Sequence, residues 1–153
     1  MVDLTQLANA LVDTFQRIPE LVAALNNEDP DSVFAYLDST PDRNSLTSAI
    51  YEQPAGTVMV AWDETGKNDS GDMSAWEHRY FFTCRAATDQ SSLALINLLV
   101  DGVPVPGDGQ RWRYCPVMDG VNAAEIIEIT RIQDREGIDY HAIHARITET
   151  GDA

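Results

Sequence analysis

Two β-rich runs close this chain, Glu125 to Gln133 and Ile138 to Thr148, and only Asp134-Arg135-Glu136-Gly137 joins them. A connection this short, with a glycine free to take the positive φ of a tight reversal, reads as a β-hairpin. Any fold for the chain must therefore include an antiparallel sheet. A second hairpin is expected upstream. Thr57 to Trp62 is rich in valine and bounded by Gly56, and His78 to Arg85 is an aromatic run of strand-forming residues. Between them Asp63 to Ser74, with Gly66, Asn68, Ser70 and Gly71, is too polar for a core and reads as a long mobile hairpin tip.

Helical periodicity is clearest at the start. Leu4, Leu7, Ala8, Leu11, Val12 and Phe15 recur at three-and-four spacing along one helix face. Asp3 is placed to accept from the free amide three residues on, Gln6 to reach back, and Val2 to pack on Leu7 as a hydrophobic staple. Pro19 disfavours helical geometry at Ile18 but suits a first helical turn, so a second short helix is expected from Pro19 to Leu25. Asn26 to Gln53 has weaker patterning among prolines and polar residues, with Val33, Phe34, Tyr36 and Leu37 as one buried helical turn. Thr88 to Val100 reads as the second main helix, with Leu93, Ile96, Leu99 and Val100 on one face, Thr88 as cap and Gly102 beyond its end. Gln110 to Met118 reads as a strand around Trp112 and Tyr114, confined to an edge by Pro116.

Neither an internal repeat nor a linker separates the apolar clusters, and a chain of 153 residues is the common size of one domain. The expected fold is α+β: a single domain over residues 1–153 with a mixed, largely antiparallel β-sheet and two main helices packed on it. With 44% hydrophobic and 23% charged residues the chain has ample material for a core.

Charge excludes one broad function. There are 25 Asp and Glu against 10 Lys and Arg, a formal net charge of -15, and apart from Arg111 and Arg113 the cations are scattered singly. Phosphate binding needs clustered cations, so nucleic-acid binding is not expected. No apolar run approaches the length of a membrane span, and Met1-Val2-Asp3-Leu4 lacks the pattern of a signal peptide, so a cytoplasmic site of synthesis is expected. Cys84 and Cys115 fit neither a zinc pair nor a CxxC motif and read as free thiols in apolar strands.

Catalytic signatures are not found. His141 and His144 are three apart on a strand and point to opposite sides of it, which argues against a shared metal, and His78 stands alone. Glu125 with Glu128 and Asp134 with Glu136 are pairs that an acidic chain produces by composition. No nucleophile elbow, phosphate-binding loop or dinucleotide fingerprint occurs. The chain is expected to be no enzyme and to need no cofactor or metal. Trp62 and Trp112, within strands, are expected in the core, whereas Trp76 borders the polar hairpin tip and is an interface candidate. Lys67, Asp69, Asp72 and Trp76 are the candidate subunit contacts. Sheet edges add a second route to binding other chains.

The layout and several phrases resemble the tail terminator, or tail completion, proteins of long-tailed, lambda-like bacteriophages. The likeness rests on the helix from Asp3, the hairpin of Val58 to Trp62 with Tyr80 to Arg85, and the helix Leu93 to Val100. It continues with Leu99-Val100-Asp101-Gly102-Val103-Pro104 and the run from Glu125-Ile126-Ile127-Glu128-Ile129 through Arg131, Asp134, Glu136, Gly137, Ile138 and Asp139 to Tyr140. The Asn26 to Gln53 segment departs from the family pattern. The resemblance implies a structural virion protein at the head-tail junction, assembled in the host cytoplasm as a homo-oligomeric, hexameric ring. It implies a ring that caps the tail tube protein, stops its polymerisation and meets the head-closure protein, with DNA passing through the lumen without specific binding and no membrane contact. An acidic lumen would repel that DNA, and the segment Asp63 to Ser74 would touch the tube or a neighbouring subunit. Three other readings stay open on the residues: another head-tail connector or a tail-tube subunit, an acidic monomeric binding or inhibitor protein, and a small enzyme using unassigned carboxylates.

Overall fold

The computed structural model describes residues 2–36, 50, 52–70, 73–86, 89–100, 121–133 and 139–150. Helix α1 runs from Leu4 to Gln16 and starts as its sequence demands. The Asp3 carboxylate accepts from the amides of Thr5 and Gln6 at 2.9 and 3.1 Å, satisfying two donors that the first turn leaves without partners. Its inner face buries Leu7, Ala8, Leu11 and Phe15, and Val2 packs at the rim of the same core. Pro19 opens helix α2, Pro19–Ala24, which buries Leu21. Two short 3-10 turns, Asn26–Glu28 and Pro30–Ser32, follow.

Strand β1, Val33–Tyr36, replaces the helical turn expected there. Its residues alternate: Val33 and Ala35 pack into the main core with α1, whereas Phe34 and Tyr36 pack with Met59 and Ile50 on the other side of the sheet. Period-two burial of β-branched and aromatic residues is what a strand offers and one helical turn does not. Leu37 lies outside the described residues.

Strands β2, Thr57–Ser70, and β3, Met73–Arg85, form the upstream hairpin. They correct the expected long tip, because β2 and β3 stay paired from Thr57↔Arg85 to Ser70↔Met73, with one register shift between Trp62 and Glu64. Polar composition marked the distal half as loop. Backbone pairing, however, does not require an apolar face, and the cross-strand pairs there are polar or amphipathic.

Helix α3, Asp89–Val100, buries Ser92, Leu95, Ile96 and Leu99. Leu93 is 52% exposed and does not share that face, since it stands roughly 100° round the helix from the stripe's centre. Strands β4, Val121–Gln133, and β5, Asp139–Thr150, form the closing hairpin as expected. The expected strand Gln110 to Met118 with Trp112 and Cys115, the Thr88 cap, Gly102 and the Asp134-to-Gly137 connection lie outside the described residues.

The sheet order is β1-β2-β3-β5-β4, with β1 parallel to β2 and every other pair antiparallel. This is the mixed, largely antiparallel α+β sheet that the sequence implies. All three helices pack on one face, where Tyr80, Phe82 and Cys84 of β3 and Ile143, Ala145 and Ile147 of β5 meet α1, α2 and α3 in one core. The Phe15 and Phe82 rings meet edge to face at 5.0 Å, the arrangement their quadrupoles favour.

Candidate functional site

Beyond Ala61, the partner of Tyr36, the hairpin of β2 and β3 has no neighbour on the β2 side among the described residues. On the helix-bearing face of this distal half three cross-strand pairs follow one another: Trp62 with Tyr80, Thr65 with His78, and Lys67 with Trp76. Cross-strand partners share a face, and the register shift at Asp63 restores the alternation after Trp62. Of the expected contact residues, Lys67 and Trp76 are therefore brought together, the Lys67 Nζ standing 5.7 Å from the ring centroid in cation-π geometry. Asp69 is further along β2, opposite Ser74. Asp72 lies outside the described residues. Trp62, expected in the core, is 37% exposed; it stands one residue beyond Ala61, where the described pairing of β2 with β1 stops.

His78 does not stand alone. It is fully buried; its Nε2 lies 2.8 Å from the Glu149 carboxylate and its Nδ1 lies 3.0 Å from Thr65 Oγ1. The Trp62 indole N–H donates to that same Thr65 oxygen at 2.9 Å. The Val2 amide donates to both Glu149 oxygens at 2.9 and 3.0 Å. An indole only donates and an ionised carboxylate only accepts. Every group is satisfied when His78 carries its proton on Nε2, giving it to Glu149, and Thr65 gives its hydroxyl proton to Nδ1. Burial raises the Glu149 pKa; the Val2 amide, the His78 ring and the amino terminus lower it and prevail, so the carboxyl lies below its ordinary 4.5. This network was not legible beforehand, because Thr65 and His78 meet only through the register of a segment read as loop.

The opposite face carries a row of charge, Glu64 of β2, Arg79 of β3, Arg146 of β5 and Glu125 of β4, each the register partner of the next. Arg79 pairs with Glu64 at 3.2 Å and Arg146 binds Glu125 through its guanidinium. These are exposed pairs, worth little to stability and more to the shape of the surface.

His141 and His144 take opposite faces, as their spacing implies. His141 is buried with its Nδ1 2.6 Å from Ser92 Oγ, whereas His144 lies beside Thr130 and the Phe81 ring. Cys84 is buried in the core, and burial pushes its thiol up to about 12, the behaviour of a packing residue and not of a nucleophile. Among the described residues no three His, Cys, Asp or Glu side chains converge as a metal set. A shallow open cleft between α2, α3 and the approach to β2 is lined by Leu25, Asn26, Gly56, Ala86, Ser91 and Leu95, with no titratable side chain among them.

At the far edge of the sheet, β4 has no strand on its outer side among the described residues. Ile127 and Ile129 on it are 46% and 45% exposed. Among the described residues the sheet thus has two stretches without an outer strand at opposite sides, β4 and the distal half of β2. Among the described residues no helix is long and apolar enough to cross a membrane.

No protein-family model and no curated protein matches this chain. Among solved structures, the chain is similar to one from a "Virion of native gene transfer agent (GTA) particle", with a TM-score of 0.47 and 11% identity over 95% of each chain.

Proposed function

We propose that this chain is a structural virion protein, a subunit of a tail terminator ring that caps a tail tube and joins it to the head-closure protein. The observation that supports this reading is that, among the described residues, no strand pairs with the outer side of β4 or of distal β2, on opposite sides of the sheet. Ring closure requires a heterologous contact in which one face of a subunit meets a different face of the next, and β4 and distal β2, unpaired on their outer sides among the described residues, offer two unlike faces. Exposed Ile127 and Ile129 at one side, and Trp62, Lys67 and Trp76 at the other, are the side chains such a contact would cover. The net charge of -15 supports a lumen through which DNA slides without sticking. In this reading the chain performs no catalysis. The buried state of His78, His141, Ser92 and Cys84 fits that role, since none is presented to a substrate.

The test is molar mass by light scattering, with electron microscopy of tail tubes mixed with the protein. A hexamer, or a monomer that forms rings on tube ends, is the expected result. A strict monomer that leaves tube ends bare and growing overturns the reading. The same charge also suits a monomeric inhibitor of a basic protein, and a monomer with strongly salt-dependent affinity for such a partner would favour that alternative.

A further inference from the structure

From β2 through β3 and β5 to β4 every neighbouring pair is antiparallel, so β2 and β4 run in opposite directions at the two sides of the sheet. A second copy set alongside, with its sheet facing the same way, therefore brings its β2 antiparallel to β4. Among the described residues neither the outer side of β4 nor that of β2 beyond Ala61 has a strand partner, and the outward N–H and C=O groups of such strands are a template for another chain. We propose that β4 of one copy pairs with distal β2 of the next in one staggered register, with Gln133 opposite Trp62 and Ile129 opposite Lys67. This rests on the reading of the chain as a self-assembling subunit and names the strands that join.

Two observations argue against a level alignment of the copies. Within one copy Ile126 is level with Trp62 through Ala145 and Tyr80, and Glu128 is level with Ala61 through His144 and Phe81. Copies joined at that level would lay Glu128 to Gln133 along Ala61 and the residues before it. That lane is already taken by β1 of the next copy, with Tyr36 on Ala61 and Val33 on Val58. Level copies would also set Glu125 directly opposite Glu64, and like charges so placed are destabilising. The smallest slide that clears β1 puts the last residue of β4, Gln133, opposite Trp62. It moves β4 by the six paired positions from Glu128 to Gln133, and an even slide keeps every side chain on its own face. Ile129 and Lys67 then meet on the helix-bearing face, Thr130 and Gly66 meet on the other, and Glu64 faces Ile132 instead of Glu125. Ile129, 45% exposed in one copy, gains the aliphatic stem of Lys67, whose ammonium stands over Trp76. At Gly66 an added Cβ would meet nothing within 4 Å, so there is room for Thr130 beside it.

Disulfide trapping between two variants of the full chain, mixed and mildly oxidised in a Cys115→Ser background, tests the register. One mixture is Lys67→Cys with Ile129→Cys and another is Gly66→Cys with Thr130→Cys. These pairs are adjacent along the strands, so one of them is the non-hydrogen-bonded kind whose side chains approach closely enough to bridge. At least one of the two should give covalent heterodimer in roughly tenfold excess over Glu64→Cys with Glu125→Cys, which reports the level alignment. A heterodimer from the Glu64 and Glu125 positions instead overturns the stagger, and an assembled protein that traps none of the three overturns the pairing. Hydrogen exchange in the parent protein decides the pairing without any substitution: alternate amides of 64–69 and of 126–133 should gain protection together as the protein assembles. Protection gained only in other segments sinks the pairing and leaves the ring reading standing, whereas a parent protein that stays monomeric at every concentration and on tube ends sinks both.

Discussion

At Gly56 the backbone is closely confined. It sits at φ +85°, a Cβ there would stand 2.6 Å from the Asn26 nitrogen, and that nitrogen donates to the Gly56 carbonyl at 3.0 Å. Its own amide donates to the Arg85 carbonyl at 2.8 Å, so the segment has no direction in which to move aside. Gly56→Ala should destabilise the protein by about 2–4 kcal/mol through left-handed strain and a backbone clash, read as a lower urea midpoint with an unchanged slope. Glu149 makes a prediction of the opposite kind, one that depends on pH. Its folded pKa is lowered, so the stability it contributes is fully present above the unfolded value of 4.5 and is lost as pH falls through the folded value. The gap in unfolding free energy between the parent protein and Glu149→Gln should therefore be wide near neutral pH and close on acidification below 4.5. A gap that stays constant down to strongly acidic pH would show that the carboxylate charge contributes nothing.

At the level of elements, the exposed isoleucines of β4 separate folding from assembly. Ile129 is already 45% exposed, so Ile129→Lys removes little from the core and should change thermal stability by only a few degrees. A lysine on an edge strand is a recognised block to pairing with another chain, so if the proposed ring uses β4 it should fail to form, leaving a folded monomer by light scattering. How far such elements could be read in advance depended on whether burial imposed a period. Helix α1 was legible because one face is apolar and the other is not, and the closing hairpin and the cores of β2 and β3 because they are runs of β-branched, apolar and aromatic residues bounded by turn signals. The strand β1 was misread because four residues show too little of a period to tell two from 3.6, and both of its faces are covered. The distal hairpin was misread for the reverse reason: Thr65, Gly66 and Lys67 are paired through the backbone, which leaves no signature in side-chain polarity. The candidate site shared that fate. Lys67 and Trp76 could be picked out one by one as candidates, but that they face each other, and that His78 sits between Val2 and Trp62 in a network, follows only from register.

For the molecule as a whole, charge decides how association should respond to salt. Each subunit carries a formal charge of -15, and bringing like-charged subunits side by side costs electrostatic energy that falls as the Debye length shortens from about 10 Å at 0.1 M salt to about 3 Å at 1 M. Contacts built on strand edges and on Ile127, Ile129 and Trp62 are apolar or backbone in nature and lose nothing to screening. Self-association should therefore strengthen as salt rises, with the monomer-to-ring midpoint moving to lower protein concentration by roughly tenfold or more across that range. An acidic inhibitor of a basic partner would behave in the opposite way, because there the long-range term is attractive and salt removes it. Light scattering at a series of protein concentrations, repeated at low and high salt, gives the sign directly: a mass that grows with salt belongs to a self-assembling ring of acidic subunits, and an invariant monomer whose binding to a basic protein weakens with salt belongs to the inhibitor.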